Sequence, residues 1–133
     1  MKPVFADTFF FLALLNPSDV AHRKALEVSR NLRRRRITTA WVLTEVGDAM
    51  AIGRNRAAFI EFHDLVKQSP LITLVPATEA LFNRGIKLFS SRPDKEWTLT
   101  DCISFVVIGE EDLTEALTAD HHFEQAGFNL LLR

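Results

Sequence analysis

The chain has one cysteine, Cys102, among 133 residues. No disulfide can form within it, and this cysteine usage fits a reducing, cytoplasmic setting. No apolar run approaches the ~18 residues that would span a bilayer, so no membrane role is expected. Phe9 to Leu15 is apolar, but Asp7 precedes it and no small-residue cleavage site follows, so it reads as a core element and not a signal peptide. The net charge is only −1, which excludes general affinity for nucleic acid and leaves that role to local patches. There is no repeat, low-complexity segment or linker. Hydrophobic content of 47% and charged content of 25% describe an ordinary globular chain, and the length fits a single domain over residues 1–133.

Short strand-like runs alternate with helical patterns. Val4–Ala6, Ile37–Ala40, Ile72–Val75, Glu115–Ala119 and Phe128–Leu132 read as strands. Ala21, Ala25, Val28 and Leu32 recur at helical spacing, with Pro17 suited to a first helical turn. Val42, Glu45, Val46 and Ala49 mark one helical face that Gly53 is expected to close. Phe59, Phe62 and Val66 form another stripe, and Thr78 is placed to cap a helix carrying Phe82, Gly85, Ile86 and Phe89. Thr98 and Asp101 have the spacing of a capping box. Strands alternating with helices imply a parallel sheet covered on both faces, with right-handed crossovers. Ligands of such sheets bind beyond the carboxyl ends of the strands, where strand order reverses.

Four carboxylates stand at awkward places. Asp7 and Asp120 follow strand-like runs, Asp101 opens the apolar helix from Cys102 to Ile108, and Glu45 lies inside an apolar stripe. Each has a structural explanation: a loop start for Asp7 and helix capping for Asp101 and Asp120. Glu45 resists one, because a buried glutamate without partner or metal is rare. An ionised carboxylate is costly to bury unless it is paired or binds a cation. Four oxygen donors converging on one sheet edge suit Mg²⁺ or Mn²⁺ and not zinc, and point to metal-assisted chemistry on a phosphodiester. No other nucleophile competes: Cys102 sits in an apolar helix and Ser104 has no histidine partner in sight. A receiver domain would need an acid ending the third strand, where Val75-Pro76 stands. A haloacid-dehalogenase-like phosphatase would need a second aspartate two residues after Asp7, where Phe9 stands.

Phe5-Ala6-Asp7-Thr8, Thr44-Glu45, Trp97 to Phe105 (WTLTDCISF), and Leu117 to Phe123 (LTADHHF) followed by Ala126-Gly127-Phe128 together resemble the PIN-domain family. The resemblance spans essentially the whole chain, and Trp97–Phe105 is its most specific part. It implies a three-layer α/β/α fold with a five-stranded parallel sheet in order 3-2-1-4-5. It implies a Mg²⁺- or Mn²⁺-dependent endoribonuclease site built from Asp7, Glu45, Asp101 and Asp120, with Thr8 as the hydroxyl residue after the first aspartate. Small stand-alone members are commonly VapC-type toxins, often dimeric and neutralised by a small antitoxin. The competing class is a non-catalytic RNA-binding or scaffold domain of the same fold.

The remaining candidates are weaker. Arg33, Arg34, Arg35 and Arg36, with Arg30 nearby, are either a solvated helix end or an RNA-backbone contact. His121 and His122 are candidates for holding substrate phosphate, and less so for metal. Trp41, Trp97 and the phenylalanines read as core. In the resembled family a helical hairpin in the region of Arg54 and Arg56 takes part in dimer or antitoxin contacts, which makes this tip, with Met50, Phe59 and Phe62, a candidate contact surface.

Overall fold

The computed structural model describes residues 1–133. Strands β1 (Val4–Ala6), β2 (Arg36–Thr39), β3 (Ile72–Val75), β4 (Glu115–Leu117) and β5 (Asn129–Leu130) form one sheet. Its order is β3-β2-β1-β4-β5, and every pairing is parallel. The expected three-layer topology is therefore observed. β1 lies at the centre with all three residues fully buried, which is why Val-Phe-Ala carries no polar alternation: both faces are covered.

Helices α1 (Thr8–Leu15), α2 (His22–Asn31), α3 (Ala40–Ala49), α4 (Asn55–Gln68), α5 (Glu79–Ser91), α6 (Leu99–Glu110) and α7 (His121–Gln125) connect the strands. α1 is apolar nearly all round and buries Phe10, Phe11 and Ala13. α6 buries seven residues from Asp101 to Ile108. Thr98 and Asp101 form the full capping box, an arrangement that contributes about 0.5–2 kcal/mol at its cap residue. Thr78 caps α5 by accepting from Leu81 N–H.

Four expectations need correction. Pro17 lies in a turn, and α2 begins only at His22. Gly53 does not close α3, which ends at Ala49; it sits in the next turn with φ +61, a backbone region that favours glycine. β1 and β3 have the expected bounds and β2 starts one residue early, but β4 and β5 are shorter than their apolar runs, because pairing with neighbours, and not hydropathy, sets their ends. The largest correction concerns α5. Phe82, Ile86 and Phe89 are 38%, 39% and 48% exposed, whereas Leu81 and Gly85 are buried. α5 packs its Leu81–Gly85 side on α6 so closely that a Cβ on Gly85 would lie 2.3 Å from Ile103 Cγ1. The stripe of large residues therefore faces outward.

Candidate active site at the carboxyl ends of β1 and β4

The strand order reverses beside β1, and the register of β1 with β4 pairs Phe5 with Ala116 and Ala6 with Leu117. The next residue pair along the two chains is Asp7 and Thr118. Asp7 occupies the position before α1 where a side chain would cap the helix, yet it makes no cap hydrogen bond. Its carboxylate is turned to β4 instead, where Thr118 Oγ1 donates to Asp7 Oδ2 at 3.0 Å. The same hydroxyl accepts from Asp120 N–H at 3.1 Å. One buried threonine thus couples the first acid to the last.

A second bridge closes the cluster. His122 Nδ1 lies 3.0 Å from Asp101 Oδ2 and 3.7 Å from Asp120 Oδ1. A carboxylate only accepts, so Nδ1 is the donor in this contact. Asp101 also receives Thr98 N–H, and Asp120 receives His122 N–H. The capping readings of Asp101 and Asp120 are both correct, and they do not compete with convergence, because each cap fixes its carboxylate at the rim. Glu45 comes from α3 and is linked to the neighbour of Asp7 and not to the other acids directly. It is half-buried, and Thr8 Oγ1 donates to its Oε1 at 2.6 Å. Glu45 therefore points at the residue beside Asp7.

Asp7 is 5% exposed. Burial pushes its carboxyl up to about 7, helped by the nearby Asp101 and Asp120; the Thr8 N–H and Thr118 hydroxyl pull it down less. Asp101 and Asp120 thus act on Asp7 across the rim, and no lysine or arginine pairs with any of these three carboxylates. Asp7 and Asp101 are buried and Asp120 lies partly open beside them; oxygen donors short of positive charge would chemically match a hard divalent cation. Asp120, His121 and His122 also place one donor atom each within 4.8 Å of one another. The His122 ring also contacts Asp101, which makes it an orienting partner of that carboxylate. Cys102 is buried, and its thiol is pushed up by burial and by Asp101, which leaves it a poor nucleophile.

The arginine run lies at the other rim, where β2 begins. Arg36 is 6% exposed and donates to Arg34 O and Ser29 O. Arg34 pairs with Glu115 at 2.7 Å and donates to Lys2 O, and Arg35 donates to Thr73. The RNA-contact reading fails for Arg34 and Arg36, whose guanidiniums are engaged inside the fold at the far end of the sheet. Arg33 is exposed there too, remote from the acids. His121 is exposed and 3.6 Å from Asp120. Of the hairpin residues, Arg54 and Arg56 are exposed, while Met50 is buried in the core and Phe62 packs on Phe11 with ring centroids 5.1 Å apart. Gly47, Met50, Arg56 and Phe59 line an open groove of about 350 Å³.

Thr118 is the residue that sequence reasoning missed. Its signal, a hydroxyl two residues before Asp120, becomes legible only once the register with β1 is known.

No match was found among curated protein sequences. Among solved structures, the chain is similar to the Mycobacterium tuberculosis toxin VapC20, described as cleaving the sarcin-ricin loop. The TM-score is 0.85 at 22% identity, over 94% of this chain and 95% of that one. It is also similar to FitAcB from Neisseria gonorrhoeae, with a TM-score of 0.65 at 18% identity over 96% and 95% of the two chains. These likenesses establish a shared fold. Residues 4–129 match the family model of the PIN domain, and with nearly the whole sequence inside that match, the chain belongs to the PIN domain family.

Proposed function

We propose that this protein is a Mg²⁺- or Mn²⁺-dependent endoribonuclease, the toxin of a type II toxin–antitoxin pair. The observation that carries the reading is the junction of Asp7, Asp101 and Asp120 through Thr118 and His122, with Glu45 reached through Thr8. Asp7, Glu45, Asp101 and Asp120 would hold the cation. When bound, the cation supplies charge neutralisation at the phosphodiester and a water of lowered pKa. The protein's own part is orientation: Thr118, Thr8 and His122 fix the carboxylates before any ligand arrives, so little reorganisation remains at the moment of reaction.

The similarity to a structurally characterised toxin supports the toxin assignment. An antitoxin segment would take the groove at Gly47, Met50, Arg56 and Phe59, which opens from the same helix that presents Glu45. It would reach the acids with a basic side chain, since crowded carboxylates attract arginine strongly in a partly desolvated cleft. The site of action in this reading is the cytoplasm, where RNA is found. No helix is long and apolar enough to cross a membrane.

The test is cleavage of total RNA with Mn²⁺, with Mg²⁺ and with a chelator, on the wild type and on Asp101→Asn. Metal-dependent cleavage lost in the variant supports the reading. An inert wild type that binds no Mn²⁺ would return the protein to the scaffold class. Co-expression with the product of an adjoining small reading frame tests the pair, and light scattering tests the homodimer. If the products do not co-purify and the chain alone does not slow growth, the toxin label falls and the nuclease label stands on its own assay.

A further inference from the structure

Trp41 stands in the first turn of α3, four residues before Glu45. Residues at that spacing are neighbours on one helical face, with Cβ atoms roughly 5–6 Å apart. Phe82 stands in the first turn of α5, just beyond β3. The Trp41 and Phe82 rings are nearly parallel, at 19°, with centroids 6.4 Å apart. Trp41 is half-buried and rests on the core; Phe82 is 38% exposed. The pair sits at the carboxyl rim of the sheet, on the β2–β3 side of the acids, with part of Phe82 open to solvent.

We infer that Trp41 and Phe82 form a stacking subsite for one nucleobase of single-stranded RNA, beside the phosphodiester engaged at the acids. The inference rests on the ribonuclease reading. It is favoured by the charge distribution. The net charge is −1, and the densest run of arginines, Arg33 to Arg36, lies at the opposite rim, with Arg34 and Arg36 held inside the fold. That run is not placed to hold a phosphate backbone at the acids, so affinity for a flanking nucleotide gains from another source. Aromatic faces supply it without reading base identity, because every base has a π-face. The subsite demands that a base be present and tolerates which base it is.

The test uses the full chain with Trp97→Phe, which leaves Trp41 as the only tryptophan, and a single-stranded RNA oligonucleotide carrying an abasic ribose at each position in turn. RNA is expected to quench Trp41 emission. One abasic position is expected to weaken binding about tenfold. Phe82→Ala, whose fold is checked by circular dichroism, is expected to raise KM by about the same factor with kcat unchanged, and Phe82→Tyr to restore it. Quenching without Mn²⁺-dependent cleavage would sink the nuclease reading and leave the subsite standing. Cleavage that is insensitive to abasic positions and to Phe82→Ala would overturn the subsite and leave the nuclease standing. If Phe82→Ala handles RNA normally but no longer captures a co-expressed antitoxin, the pair is a peptide-docking surface and the subsite is wrong. A chain that neither binds nor cleaves RNA removes both.

Discussion

Thr118 Oγ1 donates to Asp7 Oδ2 at 3.0 Å and accepts from Asp120 N–H at 3.1 Å, so one hydroxyl holds the acid after β1 and the acid after β4 in fixed relation. Thr118 is fully buried. Thr118→Val keeps the shape and removes both bonds. Leaving a buried donor and acceptor without partners costs about 1–3 kcal/mol. Losing the hydroxyl also removes an influence that lowers the Asp7 carboxyl, so Mn²⁺ should bind more weakly near neutrality. Thermal melts and Mn²⁺ titration calorimetry check both effects, and Thr118→Ser should recover them. Wild-type metal affinity in Thr118→Val would refute the coupling.

Asp7 gives the metal-free protein a pH dependence of definite sign. Its carboxyl stands near 7 in the folded chain against 3.8 for the ordinary group. Below about 4 it is protonated in both states. As pH rises through the window from 4 to 7, the unfolded chain loses the proton first, and stability falls by a few kcal/mol. Asp7→Asn should flatten that slope and raise the melting temperature of the metal-free protein above pH 7, while abolishing Mn²⁺-dependent cleavage. Since metal and proton compete for Asp7, wild-type Mn²⁺ affinity should rise with pH across the same window. Denaturation at fixed pH values in chelator reads the slope; a slope unchanged in Asp7→Asn would assign it to other groups.

The bond from Thr8 to Glu45 predicts a positioning effect. Thr8→Val removes the 2.6 Å contact and leaves α1 otherwise intact. Cleavage should drop about tenfold, the weight of one lost hydrogen bond to a charged group. Thr8→Ser should retain activity. Equal rates in all three proteins would mean that Glu45 needs no support from α1.

Gly85→Ala tests the packing of α5 on α6. A Cβ there meets Ile103 Cγ1 at 2.3 Å, and Ile103 is fully buried. A β-branched side chain in a helix has one strongly preferred rotamer and cannot swing aside. The cost should be about 1–3 kcal/mol in urea denaturation. Because α6 carries Asp101, metal affinity should fall as well. A neutral Gly85→Ala would show that the two helices separate freely.

The sequence by itself determined the alternation of strands and helices, the strand-end positions of Asp7 and Asp120, the capping box at Asp101 and the inward face of Glu45. Each depends on local chemistry: apolar period, cap residues and the cost of an unpaired buried charge. Tertiary structure decided what spacing along the chain cannot express. The register of β1 with β4 brings Thr118 to Asp7, across more than a hundred residues. The turn of α7 carries His122 to Asp101. The close approach at Gly85 turned an apolar stripe of α5 outward, because two faces of that helix were apolar enough to be core and only the one that fits against Ile103 could be buried. Arg34 and Arg36 were absorbed at the amino rim for the same reason: a run of four cations has no direction until the strand it opens is paired on both sides.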